Sequence, residues 1–177
     1  MAALKPQDLL VALKLVALGD ALWTFPSLAS DLGMSASEVH HATRRLAAAR
    51  LYQPALRRVP RTALADFLVH GVPYAFPAEI GAAATGVPTA RSAAPLRSDL
   101  VLGDDDELVW PLPHGAVRGH SVTPIYRSAP VAAARDAKLH TLLALVDSLR
   151  VGRARERRLA ATELRARLGA AAIAGTE

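Results

Sequence analysis

The sequence predicts a mainly α-helical chain, with helices at both ends and a Pro-rich middle that is irregular or built from short strands. Three observations carry this expectation. Apolar residues recur at helical spacing from Lys5 to about Gly71. Eight of the 12 prolines then fall between Val72 and Pro130, where they punctuate any regular element. From Val131 the helical spacing returns. The chain therefore divides into residues 1–71, 72–130 and 131–177.

The first helix spans Lys5–Leu18, with Leu9, Leu10, Leu13, Val16 and Ala17 as its apolar stripe. Pro6 suits its first turn and Asp8 faces the positive end of the helix dipole, while Gly19-Asp20 ends it. Thr24 is placed to cap a shorter second helix with Leu28, Ala29 and Leu32 on its buried side, and Gly33 stops it. Ser35-Ala36-Ser37-Glu38 has the S-x-x-E form of a capping box. The helix it opens runs to about Ala49. On a helical wheel Val39, Ala42, Thr43 and Leu46 share one side. Ser37, His41, Arg44 and Ala48 share the other, with His40 and Arg45 flanking. Three short helices, a glycine turn and an outward face of Ser, His and Arg make a helix-turn-helix.

The stretch T-F-P-S-L-A-S-D-L-G-M-S-A-S-E-V-H-H-A-T-R-R-L, starting at Thr24, resembles the core of bacterial winged helix-turn-helix transcriptional regulators. The resemblance covers roughly Leu4–Arg61 and rests on the L-G-M-S turn followed by the capped helix. It implies that the third helix reads DNA. The wing of that family is a β-hairpin, and only Leu51–Val59, interrupted by Pro54, is available for it. A truncated wing is expected, with Arg57 and Arg58 in its place.

A fourth helix is expected over Leu56–Gly71, with Leu64, Phe67 and Leu68 inward. In the middle segment, Val72–Phe76, Leu108–Pro111 and Val117–Val122 are short β-capable pieces between Pro and Gly turns. Leu139, Leu142, Leu143, Val146 and Leu149 form the next helical stripe. Gly152 separates it from Arg153–Leu168, and Gly169–Glu177 is expected to fray.

The charge distribution points to a partner. The net charge is +5, and 18 of the 21 basic residues are Arg. Arg44, Arg45, Arg50, Arg57, Arg58 and Arg61 lie between Val39 and Ala65 without a single acid. A second Arg-rich stretch covers Arg150–Arg167, and Asp104-Asp105-Asp106-Glu107 makes the centre acidic. A solvated helix face is the plain reading of the third helix. The absence of acids favours an anionic partner, double-stranded DNA first. The DNA-binding candidates are Ser35, Ser37, His40, His41, Arg44, Arg45, Arg57 and Arg58. Arg forks suit guanine edges and phosphates, and hydroxyls near the helix start suit phosphates. A homodimer is expected, because one short helix reads too few base pairs, with Val131–Leu149 as the candidate interface. The alternative is a protein-interaction module, such as the antitoxin or accessory component of a bacterial two-component system, whose basic helices bind an acidic protein.

Arg153 and Arg157 share the line of Ala160, Leu164 and Leu168, so an intramolecular Asp147–Arg pair between two helices is expected there. A site for an acidic partner is the other reading. Arg155, Arg158, Arg165 and Arg167 are expected to be exposed. The acidic run is read as a solvated loop or as a strip facing a partner subunit.

Other classes lack support. With no cysteine there is no disulfide, thiolate zinc site or Cys nucleophile, in keeping with a reducing cytoplasm. His40-His41 point apart, and His114 and His120 lack a matching ligand pattern, so no metal or other cofactor is expected. No G-x-S-x-G, P-loop or G-x-G-x-x-G occurs, and an enzyme is not expected. Charges at Lys5, Asp8, Lys14 and Asp20 rule against a signal peptide, and no stretch reaches the ~18 apolar residues of a membrane span. A soluble, cytoplasmic chain without a membrane partner is the expectation.

Overall fold

The computed structural model describes residues 3–101, 103 and 107–169. It is mainly helical with one small three-stranded sheet. α1 (Pro6–Leu18) and α2 (Phe25–Leu32) both pack on α3 (Ala36–Ala48). The boundaries follow the local chemistry. Gly33 ends α2 at φ 63°, in the left-handed region that glycine enters without steric penalty. At the start of α3 the Glu38 amide donates to Ser35 Oγ at 3.1 Å, and the Ser35 amide donates to Glu38 Oε2 at 2.8 Å. That reciprocal pair satisfies two amides the first turn would otherwise leave open.

Beyond α3 the chain departs from expectation. Pro54–Leu56 is a short 3₁₀ turn, and α4 (Arg61–His70) begins five residues later than Leu56. Arg57 sits at φ 49° and Pro60 has no amide to donate, so a helix cannot run through this stretch. Val72–Ala75 is α5, a single helical turn rather than a strand, with the Tyr74 and Ala75 amides donating back to the Gly71 carbonyl. Pro73 in its first turn favours that outcome.

Leu108–Pro111 (β2) and Val117–Val122 (β3) are strands as expected, whereas Ile80–Pro88 (β1) is a strand that the Gly/Ala-rich segment did not announce. β1 pairs antiparallel with β3 from Ile80 to Gly86 and with β2 from Gly86 to Pro88. β2 and β3 meet in parallel at Leu108/His120 and Val109/Ser121, which closes the sheet on itself. A side chain at Gly86 would collide with the Trp110 carbonyl, and one at Gly119 with the Glu107 carbonyl at 2.6 Å. Glycine is needed there because the strands come so close. α6 (Leu96–Asp99) and α7 (Ala129–Ala134) lead to α8 (Ala137–Val151) and α9 (Ala154–Leu168), which break at Gly152 as expected. Asp104, Asp105 and Asp106 of the acidic run lie outside the described residues, as do residues 170–177 of the expected frayed end. Glu107 is described and pairs with Arg97 at 2.8 Å.

One apolar core runs through the chain, from Leu9 and Leu13 of α1 through Leu46 of α3 to Leu164 and Leu168 of α9. The three sequence segments therefore share a core. α8 lies at its centre, with every residue from Leu142 to Leu149 buried. This overturns the expected homodimer interface over Val131–Leu149. The Leu-rich stripe is already covered by the chain's own α1, α7 and α9.

The centre of α8 is not wholly apolar. The Asp147 carboxylate, 1% exposed, accepts hydrogen bonds from Trp110 Nε1 at 2.6 Å, Thr89 Oγ1 at 2.9 Å and Arg150 Nη1 at 2.7 Å. Arg150 also donates to the carbonyls of Phe76 at 2.8 Å and Thr123 at 3.1 Å. The Asp147 pair is thus made with Arg150 of the same helix. It is not the expected pair with Arg153 or Arg157, both of which are exposed. Trp110 belongs to β2, Thr89 and Phe76 flank β1, and Thr123 follows β3. The pair fastens the whole sheet to α8. Burial pushes the Asp147 carboxyl above its ordinary value, and the bonds from Arg150, Thr89 and Trp110 pull against that.

A second polar cluster fastens the two ends of the chain. Lys14 of α1 pairs at 3.0 Å with both Asp31 of α2 and Asp136, the cap of α8. Burial lowers the ammonium's pKa, but the bonds to Asp136 and Asp31 outweigh it and hold the group above its ordinary 10.5. For Asp136 burial works upward, and the bonds from the Leu139 amide and Lys14 outweigh it, leaving the carboxyl below 3.8.

Two outcomes follow for stability. Arg150→Met leaves the Asp147 carboxylate without its cation, and urea unfolding is expected to register a loss of about 3–5 kcal/mol. Asp136→Asn keeps a capping oxygen but removes the charge facing Lys14. Near neutral pH it costs about 1.5 kcal/mol, since Asp31 still holds Lys14. The native pKa of Asp136 lies below its unfolded one, so its contribution is present above about 3.8 and is lost as pH falls through the native value. The gap between wild type and Asp136→Asn, followed by urea titrations at descending pH, narrows in that window.

Candidate nucleic-acid interface

The outward face of α3 is built by the same pattern that buries its inner face. Val39, Ala42, Thr43 and Leu46 point into the core, which leaves Ser37, His40, His41 and Arg44 exposed. Thr43 returns its hydroxyl to the His40 carbonyl at 2.9 Å, so this buried polar group is satisfied within the helix. Ser35 is exposed as well, but its hydroxyl is occupied as the cap of α3.

Arg45 stands apart from the rest. Its guanidinium turns inward and forks onto Asp8 of α1, with Nε to Oδ2 at 2.8 Å and Nη2 to Oδ1 at 2.6 Å. The Asp8 side chain is fully buried and that of Arg45 is 13% exposed. Hydrogen bonding to Asp8 holds the guanidinium even more firmly protonated than usual. This corrects the expectation that Arg45 flanks the DNA-facing surface. It is a fastener between α1 and α3, and the wheel missed it because Asp8 lies 37 residues away.

After α3 the chain makes a minimal hairpin. Gln53 and Arg58 form one antiparallel bridge, with the Gln53 amide donating to the Arg58 carbonyl at 2.9 Å. Arg57, in the loop of this hairpin, places its guanidinium 4.2 Å from the ring centre of Trp23 and donates to the Trp23 carbonyl at 2.9 Å. A left-handed backbone at a non-glycine residue costs about 1–2 kcal/mol, and the cation–π contact offsets part of it. Arg58 is exposed beside it.

An aromatic run joins the hairpin to α3. Trp23 meets Phe25 edge-on at 5.4 Å, Phe25 meets His40 at 5.3 Å, and His40 meets His41 at 5.8 Å. A groove of about 470 Å³ lies between hairpin and helix, lined by Phe25, His40, Thr43, Arg44, Tyr52 and Arg57 among others. None of its lining residues is acidic. Sequence reasoning did not single out Trp23, Phe25 or Tyr52. Three of so few aromatics falling within or just before the helix-turn-helix and the basic stretch that follows it was the available signal.

The start of α3 is also tied to the distant part of the chain. Tyr126 Oη donates to Glu38 Oε1 at 3.2 Å. The Glu38 carboxyl is held below its usual value, by the Ser35 amide first and by the Ser35 hydroxyl and Tyr126 after it. Its charge is thereby committed to the cap.

The C-terminal arginines are dispersed. Arg165 pairs with Asp66 of α4 at 2.9 Å, against the expectation of a free surface residue. Arg157 donates to the Gly152 carbonyl at 2.6 Å. Among the described residues no group of three His, Asp or Glu is gathered to hold a metal ion, and no helix is long and apolar enough to cross a membrane. No protein-family model matches the chain, and no match was found among curated proteins or solved structures.

The two neighbouring arginines of α3 should therefore behave oppositely. Arg45→Ala strands the buried Asp8 carboxylate and is expected to cost about 3–5 kcal/mol of stability. Arg44→Ala is expected to stay within about 0.5 kcal/mol of wild type, because nothing structural depends on its side chain. Parallel thermal or urea unfolding of the two variants checks this contrast.

Proposed function

We propose that the chain is a DNA-binding transcriptional regulator that lays α3 in the major groove, with the Gln53–Arg58 hairpin as a truncated wing. The observation that carries this reading is the acid-free exposed face of α3, where Ser37, His40, His41 and Arg44 stand beside Arg57 and Arg58. Arg44 supplies a forked donor for a guanine edge or a phosphate. Arg57 and Arg58 lie on the flank of the groove, where contacts to backbone phosphates position the protein without reading sequence. Ser37, in the first turn of α3, adds a hydroxyl where the helix dipole favours a phosphate oxygen.

The reading helix is short, so two copies on adjacent half-sites remain the expected arrangement. The contact between them cannot use the Leu stripe of α8, which is buried. Exposed apolar residues such as Leu22, Leu56 and Tyr74 are available instead. An acidic protein partner would use the same cations, and the experiment separates the two.

Fluorescence anisotropy with genomic duplex fragments, selected by the protein itself, tests the proposal. Each phosphate contact adds about −0.9 to the slope of log affinity against log salt, so contacts by several arginines give a steep decline. Arg44→Ala is expected to weaken binding by about 1–3 kcal/mol and relax the preferred sequence, whereas Arg58→Ala weakens all duplexes alike. Affinity indifferent to salt, or unchanged in an Arg44→Ala/Arg57→Ala variant, rejects the assignment. Failure to bind any duplex together with tight capture of one acidic protein favours the interaction module.

A further inference from the structure

Away from the α3 face, a cleft of about 470 Å³ opens where the end of α1, the start of α4, the first turns of α8 and the last turn of α9 meet. Val16, Leu18 and Leu142 form its apolar wall, and Arg61, Lys138 and Arg167 contribute the charge. No carboxylate is among its lining residues. The buried and partly buried cations of the chain are matched, Lys14 by Asp31 and Asp136, Arg45 by Asp8, Arg150 by Asp147 and Arg165 by Asp66, whereas Arg61, Lys138 and Arg167 reach the cleft from exposed positions. Arg167 has Glu163 at 3.3 Å, while the Arg61 and Lys138 side chains have no ion pair or hydrogen bond among the described residues.

Helix ends add to the positive character. Arg61 is the first residue of α4 and Lys138 the second of α8, so both charges stand at positive helix ends. Leu142 follows Lys138 by four residues, so α8 presents a cation and an apolar residue side by side, and the last turn of α1 supplies the rest of the apolar lining. A volume of this size falls within the usual range for small-ligand sites, about 300–1,000 Å³.

We propose that this cleft binds a small organic oxyanion, a carboxylate or phosphate monoester on an apolar body. The anionic head sits between Arg61 and Lys138, with Arg167 closing the third side. The body lies along Ala17 and Leu18, the partly exposed end of α1. Binding relieves the repulsion between the unpaired Arg61 and Lys138 and covers the apolar surface there that water now wets. The site spans elements from both ends of the chain, so occupancy adds to the contacts that hold them together. It does not require the DNA-binding reading to be right.

Calorimetric titration of the full chain with octanoate, octyl phosphate, octanol and inorganic phosphate tests this directly. Octanoate, octyl phosphate or both are expected to bind at least about tenfold more tightly than octanol and inorganic phosphate, since head and body each contribute. Which of the two binds identifies the head group. Arg61→Gln and Lys138→Gln are each expected to weaken that binding about tenfold, the loss of one charge-assisted bond, with unchanged thermal unfolding of the free protein. Arg155→Gln, exposed on α9 and absent from the cleft lining, leaves it unchanged. Equal binding of octanoate, octyl phosphate and octanol overturns the proposal, as does full affinity in an Arg61→Gln/Lys138→Gln variant. So does the absence of any small-ligand binding, and if duplex DNA affinity then falls in that variant, the three cations belong to a nucleic-acid surface.

Discussion

A carboxylate and a guanidinium 2.7 Å apart, both nearly excluded from solvent, stand in the C-terminal half of a helix whose buried stretch, Leu142–Leu149, is otherwise apolar but for Ser148. A stretch such as Leu142–Leu149, buried all round, has little in its packing to decide how the helix is rotated or which register it takes. Asp147 and Arg150 remove that freedom. Between them they engage a strand residue, Trp110, and backbone or side chain on either side of the three-stranded sheet. Leaving any of these groups unpaired in the interior costs more than pairing them gains, so one arrangement of sheet on helix is selected. The pair specifies geometry more than it adds stability.

The rest of the molecule is registered against that centre by further charged fasteners. Lys14 joins α1 to the cap of α8 and to α2, and the Asp8–Arg45 fork joins α1 to α3. The outward face of α3 is positioned through this series, core helix to α1 to α3, rather than by the N-terminal helices alone. Tyr126 on Glu38 adds a direct tie from the C-terminal half to the first turn of α3. The proposed binding of α3 to DNA would gain from such support, because a face held in place loses little freedom on binding.

What could be read from the sequence were the features that depend on near neighbours. The Ser35–Glu38 box, the Gly33 turn and the break at Gly152 are set within a few residues, and each stands where expected. β2 and β3, with Leu108–Trp110 and Val117–Val122, are rich enough in β-branched and aromatic residues to announce themselves. β1 is not: Gly81-Ala82-Ala83-Ala84 has no strand preference and becomes extended because β2 and β3 close around it, which Gly86 permits. Hidden too were the long-range polar partnerships. Asp8 looked like a helix-dipole acid and Arg45 like a surface cation, and only the fold reveals that they face each other. The Leu stripe of α8 looked like an interface for the same reason, since an apolar face does not say whether its cover comes from the same chain or another. The basic face of α3 was legible, but its aromatic flank at Trp23 and Phe25 was not.

Native-state hydrogen exchange of wild type and Arg150→Met compares α3 with α8 and tests whether α3 depends on the buried pair. If one core holds both, the slowest amides of α1, α3 and α8 exchange through a common opening, and the substitution lowers their protection by the same free energy. Protection of α3 that stays at its wild-type level while that of α8 falls would contradict the account, because the N-terminal helices would then stand on their own.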